Sequence, residues 1–127
     1  MLCVLDIDTS NQEQAAKLVC ALIELAMPRA QHEAKTLPPM FKSGVKYISQ
    51  DPKACAFRTP RDVFQRGGGD CKQLVLWRIA ELRNVGQHAT PRIIWLNDKR
   101  GLQAHAQLRL PDGSIEDPSY NLGMKAL

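Results

Sequence analysis

The stretch Gly67-Gly68-Gly69-Asp70-Cys71-Lys72-Gln73-Leu74-Val75-Leu76-Trp77-Arg78-Ile79-Ala80-Glu81-Leu82-Arg83-Asn84-Val85-Gly86 decides how this chain folds. It reads as a loop, a helix and a stop. Three successive glycines do not sustain a helix. Asp70 is a favoured N-cap, and the apolar residues Leu74, Val75, Ile79 and Leu82 recur at helical period to give one buried stripe. Gly86 is the residue type that ends a helix in the left-handed conformation. The spacing predicts a helix from Cys71 to about Val85. Cys71 then occupies its first turn, where unpaired backbone N–H groups and the helix dipole favour negative charge and lower a thiol's pKa from its reference of about 8.5. Its own N–H can point at a developing oxyanion. Asp70, next to it, opposes the thiolate with its charge, and the glycines would let a substrate backbone come close. The competing reading of Cys71 is a free thiol packed as a small hydrophobe behind a flexible loop.

Upstream, Thr59-Pro60-Arg61-Asp62 is a helix start with Thr59 as N-cap, and Gly67 keeps that helix short. Further back, Gln12 to Ala26 is rich in helix formers. Ser10 and Glu13 have capping-box spacing, and Ala15, Leu18, Val19, Leu22, Ile23 and Ala26 form an apolar stripe. Pro28 is expected to end this helix. Residues 28–40, with Pro28, Pro38 and Pro39, read as a surface linker. Phe41, Val45 and Ile48 suggest a short helix before Asp51-Pro52, and residues 2–6 a short strand. Downstream of Gly86 the period changes. Arg92 to Leu96 is β-branched and aromatic, Ala104 to Leu110 alternates, and Ser114 to Asp117 returns as a strand. Asn97 to Gly101 is turn-like, and Pro111-Asp112-Gly113 is a tight hairpin loop. Helices first and an antiparallel sheet after them is an α+β order, with Cys71 at the start of a central helix packed on a small sheet.

The 127 residues suffice for one domain and not for two, and 44% apolar with 24% charged residues is the balance of a soluble globular protein. The longest apolar-rich stretch, Ala15 to Met27, is broken by Lys17 and Glu24, so no membrane span is expected. Met1 to Leu5 is apolar, but Asp6 and Asp8 follow and no basic segment precedes, so no signal peptide is expected and the protein reads as cytosolic. The net charge is +4. The cations Arg58, Arg61, Arg66, Arg78, Arg83, Lys99 and Arg100 are scattered, without the aromatic interleaving of a nucleic-acid platform, so no nucleic-acid partner is expected. Cys3, Cys20, Cys55 and Cys71 match neither a zinc pattern nor a redox CxxC. They read as free thiols, and neither metal nor cofactor is implied. Cys20, inside the long helix, reads as core filler.

A thiol nucleophile needs a base. His32, in the proline-flanked linker, and His88, after the Gly86 stop, read as solvated surface residues. His105 stands in an alternating strand between Ala104 and Ala106. If the hairpin loop is the three residues 111–113, Leu110 faces Ser114, Gln107 faces Asp117 and His105 faces Ser119. Asp117 then lies diagonally beside His105 on one face, within reach of a side-chain hydrogen bond. A two-residue loop would turn Asp117 to the other face. In this register Glu116 points away from His105, and Asp112 is a turn residue. Because Ala104, Ala106, Leu108 and Leu110 form the apolar face, the face carrying His105, Gln107 and Arg109 is expected to be a cleft wall.

Gly69-Asp70-Cys71 opening a helix, a strand bearing His105, and then Asp117-Pro118-Ser119 together resemble the transglutaminase-like superfamily, most of all its small bacterial and phage-encoded members of papain-like topology. The resemblance spans residues 59–120. It implies Cys71 as nucleophile, His105 as the base that activates it and Asp117 as the residue that orients the base; residues 1–58 have no clear counterpart in the family and read as a helical extension of the fold. Lys72 departs from small members, which often have an acidic or small residue after the cysteine. Gln65, six residues before Cys71, has the spacing of an oxyanion-hole residue in papain-like enzymes; its other reading is a helix-surface glutamine. The implied function is thiol-dependent acyl transfer on a protein or peptide amide. With water as acceptor the chain is a peptidase, amidase or deamidase, and with an amine it is a transglutaminase. The alternative is a non-catalytic structural or assembly protein of a phage particle, partnered by other virion proteins.

Overall fold

The computed structural model describes residues 11–49, 57–98 and 101–125. The expected strand at residues 2–6, Ser10 of the capping box, Cys3, Cys55, Asp51-Pro52, Lys99 and Arg100 fall outside them.

Helix α1 (Gln12–Ala34) begins at Asn11, whose side chain accepts the Gln14 N–H. Ala15, Val19, Ile23, Met27 and Ala30 recur every three or four residues and are buried. Leu18, expected in this stripe, is 48% exposed. The helix does not stop at Pro28 but runs one and a half turns beyond it. A proline inside a helix forfeits one backbone hydrogen bond. Here the ring faces outward, while Met27 and Ala30 on either side are buried at 2% and 1%. Apolar burial on both sides carries the helix through. The linker expected over residues 28–40 therefore shrinks to the few residues after Ala34, and His32 belongs to the exposed side of the last helical turn.

Phe41, Val45 and Ile48 do not form a short helix. A single 3-10 turn, Met40–Lys42, is followed by Gly44 at φ 87 and by strand β1 (Lys46–Tyr47). Val45 is buried, whereas Phe41 and Ile48 are partly exposed. Strand β1 pairs in parallel with β2 (Gly68–Gly69), and the Lys46 and Ile48 N–H groups donate to the Gly67 and Gly69 carbonyls at 3.0 and 2.9 Å. A Cβ on Gly68 would lie 2.4 Å from the Lys46 carbonyl oxygen and 2.5 Å from the Ile48 side chain. The backbone admitted by the glycines is thus the chain's own strand.

Helix α2 (Pro60–Arg66) starts with proline at its first position, as the sequence predicts, and closes at Gly67 with φ 82. Thr59 does not cap it through its side chain. Glu33 of α1 does that work: its Oε1 accepts the Arg61 N–H at 2.9 Å, and Oε2 pairs with Arg29 at 3.1 Å. The carboxylate is almost wholly buried. Burial alone would raise its pKa, but hydrogen bonds from the Arg61 backbone, Thr59 and Arg29 hold it below the usual value.

Helix α3 (Cys71–Asn84) is the centre of the molecule. Its first core, shared with α1 and the sheet, joins Val19, Ile23, Met27, Val75, Ile79 and Ala80 to Ala106 and Leu108. Its opposite flank buries Leu74 and Trp77 with Met40, Val45, Val63 and Leu122. The helix ends at Gly86, φ 83.

The sheet is antiparallel, ordered β3 (Thr90–Asp98), β4 (Gly101–Arg109), β5 (Ile115–Glu116), and leads into the short helix α4 (Pro118–Asn121). Ile94 lies opposite His105, Leu108 opposite Glu116 and Arg109 opposite Ile115. The Leu110 N–H donates to the Ser114 carbonyl at 2.8 Å, so the hairpin loop is the three residues 111–113 and the expected register holds. Gly113 takes φ 90 and Asp112 is a turn residue, accepting both the Ser114 N–H and its hydroxyl. The architecture is α+β: helices, then a three-stranded antiparallel sheet, with one parallel pair the sequence did not announce. Among the described residues no helix is long and apolar enough to cross a membrane.

Candidate functional site

Cys71 is half-buried at the first position of α3 and packs against the first core. Its placement comes from a reciprocal capping box. The Gln73 N–H donates to Asp70 Oδ1 at 3.1 Å, and the Gln73 side-chain carbonyl accepts the Asp70 N–H at 3.1 Å. As the first helical residue, Cys71 has a backbone N–H with no acceptor inside the helix. The charge that Asp70 sets beside the thiol is matched: Lys72 Nζ lies 2.9 Å from Asp70 Oδ2, and both side chains are largely withdrawn from solvent, at 17% and 6%. Lys72 thus offsets the aspartate before the cysteine.

His105 comes from the middle of β4. The expectation of an open cleft wall is corrected here, because His105 is only 2% exposed. The sequence pattern of its strand shows no reason for this; the cover comes from elsewhere in the chain. The ring of Tyr120 on α4 packs edge-on against the imidazole, with centroids 5.7 Å apart. Nε2 of His105 lies 2.7 Å from Asp117 Oδ2. With Nε2 engaged there, Nδ1 is the nitrogen left for Cys71, whose side chain is near enough for its charge to act on the ring. Burial pulls the pKa of His105 down, but the hydrogen bond to Asp117, and the charges of Cys71 and Asp117, push it up to about 9. Both contacts favour the imidazolium over the neutral ring.

Asp117 is the N-cap of α4, and its Oδ1 receives the Tyr120 N–H at 3.5 Å. Oδ2 receives two donors, His105 and the Gln107 side-chain amide, the latter at 3.1 Å. Burial would raise this carboxyl, yet the hydrogen bonds from His105 and Gln107 and the histidine's charge hold it below the usual aspartate value. Neighbouring Glu116 turns away, as the register predicts, and is gripped by Arg78 of α3 at 2.8 and 3.3 Å. Arg78 also reaches Glu81 and lies over the Phe41 ring. This brace fixes the end of β5 to α3 and so holds Asp117 in line with the helix that carries Cys71.

The structure brings Cys71, His105 and Asp117 together from α3, β4 and α4. Gln65 is exposed on α2, and the hydrogen bonds of the site do not include it. Cys20 is half-buried, its sulfur 3.9 Å from the Pro91 carbonyl, and burial followed by the charge of Glu24 raises its pKa. His88 is exposed. Sequence reasoning missed Tyr120, Arg78 and the contribution of Gln107; only Gln107 had a signal, its position opposite Asp117 in the hairpin. Among the described residues no three His, Cys, Asp or Glu side chains gather into a group that could hold a metal ion. No family model matches the chain, and comparison with curated proteins and with solved structures returns no match.

Proposed function

We propose that this chain is a thiol-dependent acyl-transfer enzyme of transglutaminase-like, papain-like type, acting on an amide bond. The observation that carries the reading is His105, buried, bonded through Nε2 to the Asp117 carboxylate and near enough to Cys71 for the thiolate's charge to act on its ring. A histidine in that position takes the thiol proton to give a thiolate–imidazolium pair, and the carboxylate stabilises the cation while fixing the ring. The thiolate attacks the amide carbonyl, forming a C–S bond and a tetrahedral oxyanion. The Cys71 N–H, without an acceptor inside the helix, can donate to that oxyanion. As the C–N bond breaks, His105 gives its proton to the departing amine, leaving a thioester on Cys71. Water or a second amine, deprotonated by the now neutral His105, then attacks the thioester and releases the acyl group as acid or new amide.

The test is intact-mass spectrometry of the full chain after rapid mixing with activated esters and candidate glutamine-containing peptides. A covalent adduct of acyl mass on Cys71, absent in Cys71→Ala, supports the reading. Unmodified protein with every acyl donor, while denatured protein reacts, contradicts it and leaves the role of a non-catalytic virion component.

A further inference from the structure

The Asp117 carboxylate has an asymmetric set of donors. Oδ1 meets one, the Tyr120 N–H, at the long distance of 3.5 Å. Oδ2 meets two, His105 at 2.7 Å and the Gln107 amide at 3.1 Å. The hairpin geometry explains why these two converge. Leu108 pairs with Glu116 and Arg109 with Ile115, so continuing the register by one residue puts Gln107 directly opposite Asp117 and His105 on the diagonal. The same oxygen thus serves the base and an amide that no part of the acyl-transfer reading uses.

We propose that Gln107 is a positioning residue of the site: by donating to Asp117 Oδ2 it fixes the orientation and the ionised state of the carboxylate on which His105 depends. An amide N–H bonds more strongly to a carboxylate than to a neutral acid, so it favours the anion. It also stops the carboxylate from rotating Oδ2 away when His105 gives up its proton. A neutral donor suits the task. A lysine or arginine at the same place would compete with the imidazolium for the charge of Asp117. The inference rests on the acyl-transfer reading for the chemistry at Cys71, but its test does not.

The titratable and charged groups around the pair are Cys71 of α3, and Asp117 itself with Tyr120 on α4. Arg92 of β3, the cross-strand neighbour of Gln107, and Arg109, two residues along the same face of β4, are exposed, and Glu116 of β5 is held by Arg78. None of these changes when Gln107 is replaced by methionine, which keeps the length of the side chain and removes the donor. The experiment is an NMR titration of the His105 ring in the full chain, comparing wild type, Gln107→Met, Asp117→Ala and the double variant, with Gln107→Leu as a second donor-less side chain should the methionine variant not fold. Losing one hydrogen bond leaves the ionised carboxylate a stronger partner for the imidazolium, so His105 is expected to bind its proton about threefold to tenfold more tightly. The same replacement is expected to have no effect when Asp117 is already alanine. A His105 titration that is unmoved by loss of the amide, or that moves equally in both backgrounds, overturns the proposal; a merely structural glutamine would lower the melting temperature without moving the titration. The two readings fail separately. Titration that shifts in a protein whose Cys71 forms no acyl adduct removes the enzyme reading and keeps the positioning role, and the reverse pattern does the opposite.

Discussion

At the scale of single residues, the site turns on a competition at His105. Burial alone would make this histidine harder to protonate than one in water, and the Asp117 and Cys71 contacts reverse the sign. Replacing Asp117 by alanine removes the largest contribution that raises it. The expected outcome is a His105 that titrates well below about 9, together with Cys71 labelling at pH 6 that falls by about tenfold or more, since each unit of pKa is a factor of ten. NMR titration and timed alkylation measure the two effects. How much of this was legible in the sequence follows from the residue types. Cys71 at a helix start and His105 between two alanines carry their chemistry in their local context. That His105 is buried does not show locally, because its cover, Tyr120, comes from fifteen residues further on. Glu33 is another such case: the residue that caps α2 sits on α1, and no local pattern around Thr59 announces it.

At the scale of elements, the 111–113 hairpin is the part that sequence reasoning read most fully. A side-chain period of two makes the loop length decide which face Asp117 takes, and the three-residue loop puts it beside His105. Deleting Asp112 is therefore expected to move the Asp117 carboxyl to the opposite face, abolish the histidine–aspartate hydrogen bond and return His105 to a pKa at or below the ordinary value, read by the same titration. The glycine run was read less well. Its flexibility suggested room for a substrate, whereas Gly68 makes room for β1. A parallel pair of two residues on each strand has no periodicity to detect. Gly68→Ala forces a Cβ to within 2.4 Å of a carbonyl oxygen, so it is expected to cost about 1–3 kcal/mol, measured by denaturant unfolding. The same crowding would disturb Asp70 and the start of α3, so labelling of Cys71 should slow as well. Helix α1 failed to stop at Pro28 for a tertiary reason: the buried side chains on either side of the proline outweigh one lost hydrogen bond.

At the scale of the whole molecule, α3 is the shared wall of two cores, and its N-terminus is where α2, the glycine strand and the sheet meet. The site is tied into that framework, so folding and titration are linked. His105 has a folded pKa raised above its unfolded value of 6.5, so its contribution is fully present below that value and is lost as the pH rises through about 9. Asp117 is lowered from 3.8, so its contribution is present above that value and is lost as the pH falls through its folded pKa. Thermal unfolding followed across pH is expected to show stability declining on both sides of a neutral plateau, with the alkaline decline between about 6.5 and 9 reduced in Asp117→Ala. The most direct test of the central claim, that Cys71 is an activated nucleophile, is timed alkylation of the native chain with iodoacetamide at pH 6, with the modified cysteines mapped by peptide mass spectrometry. The account predicts rapid labelling of Cys71, well ahead of Cys20, whose thiol burial pushes up, and ahead of Cys55. Labelling of Cys71 no faster than the other cysteines, or only at alkaline pH, would contradict it.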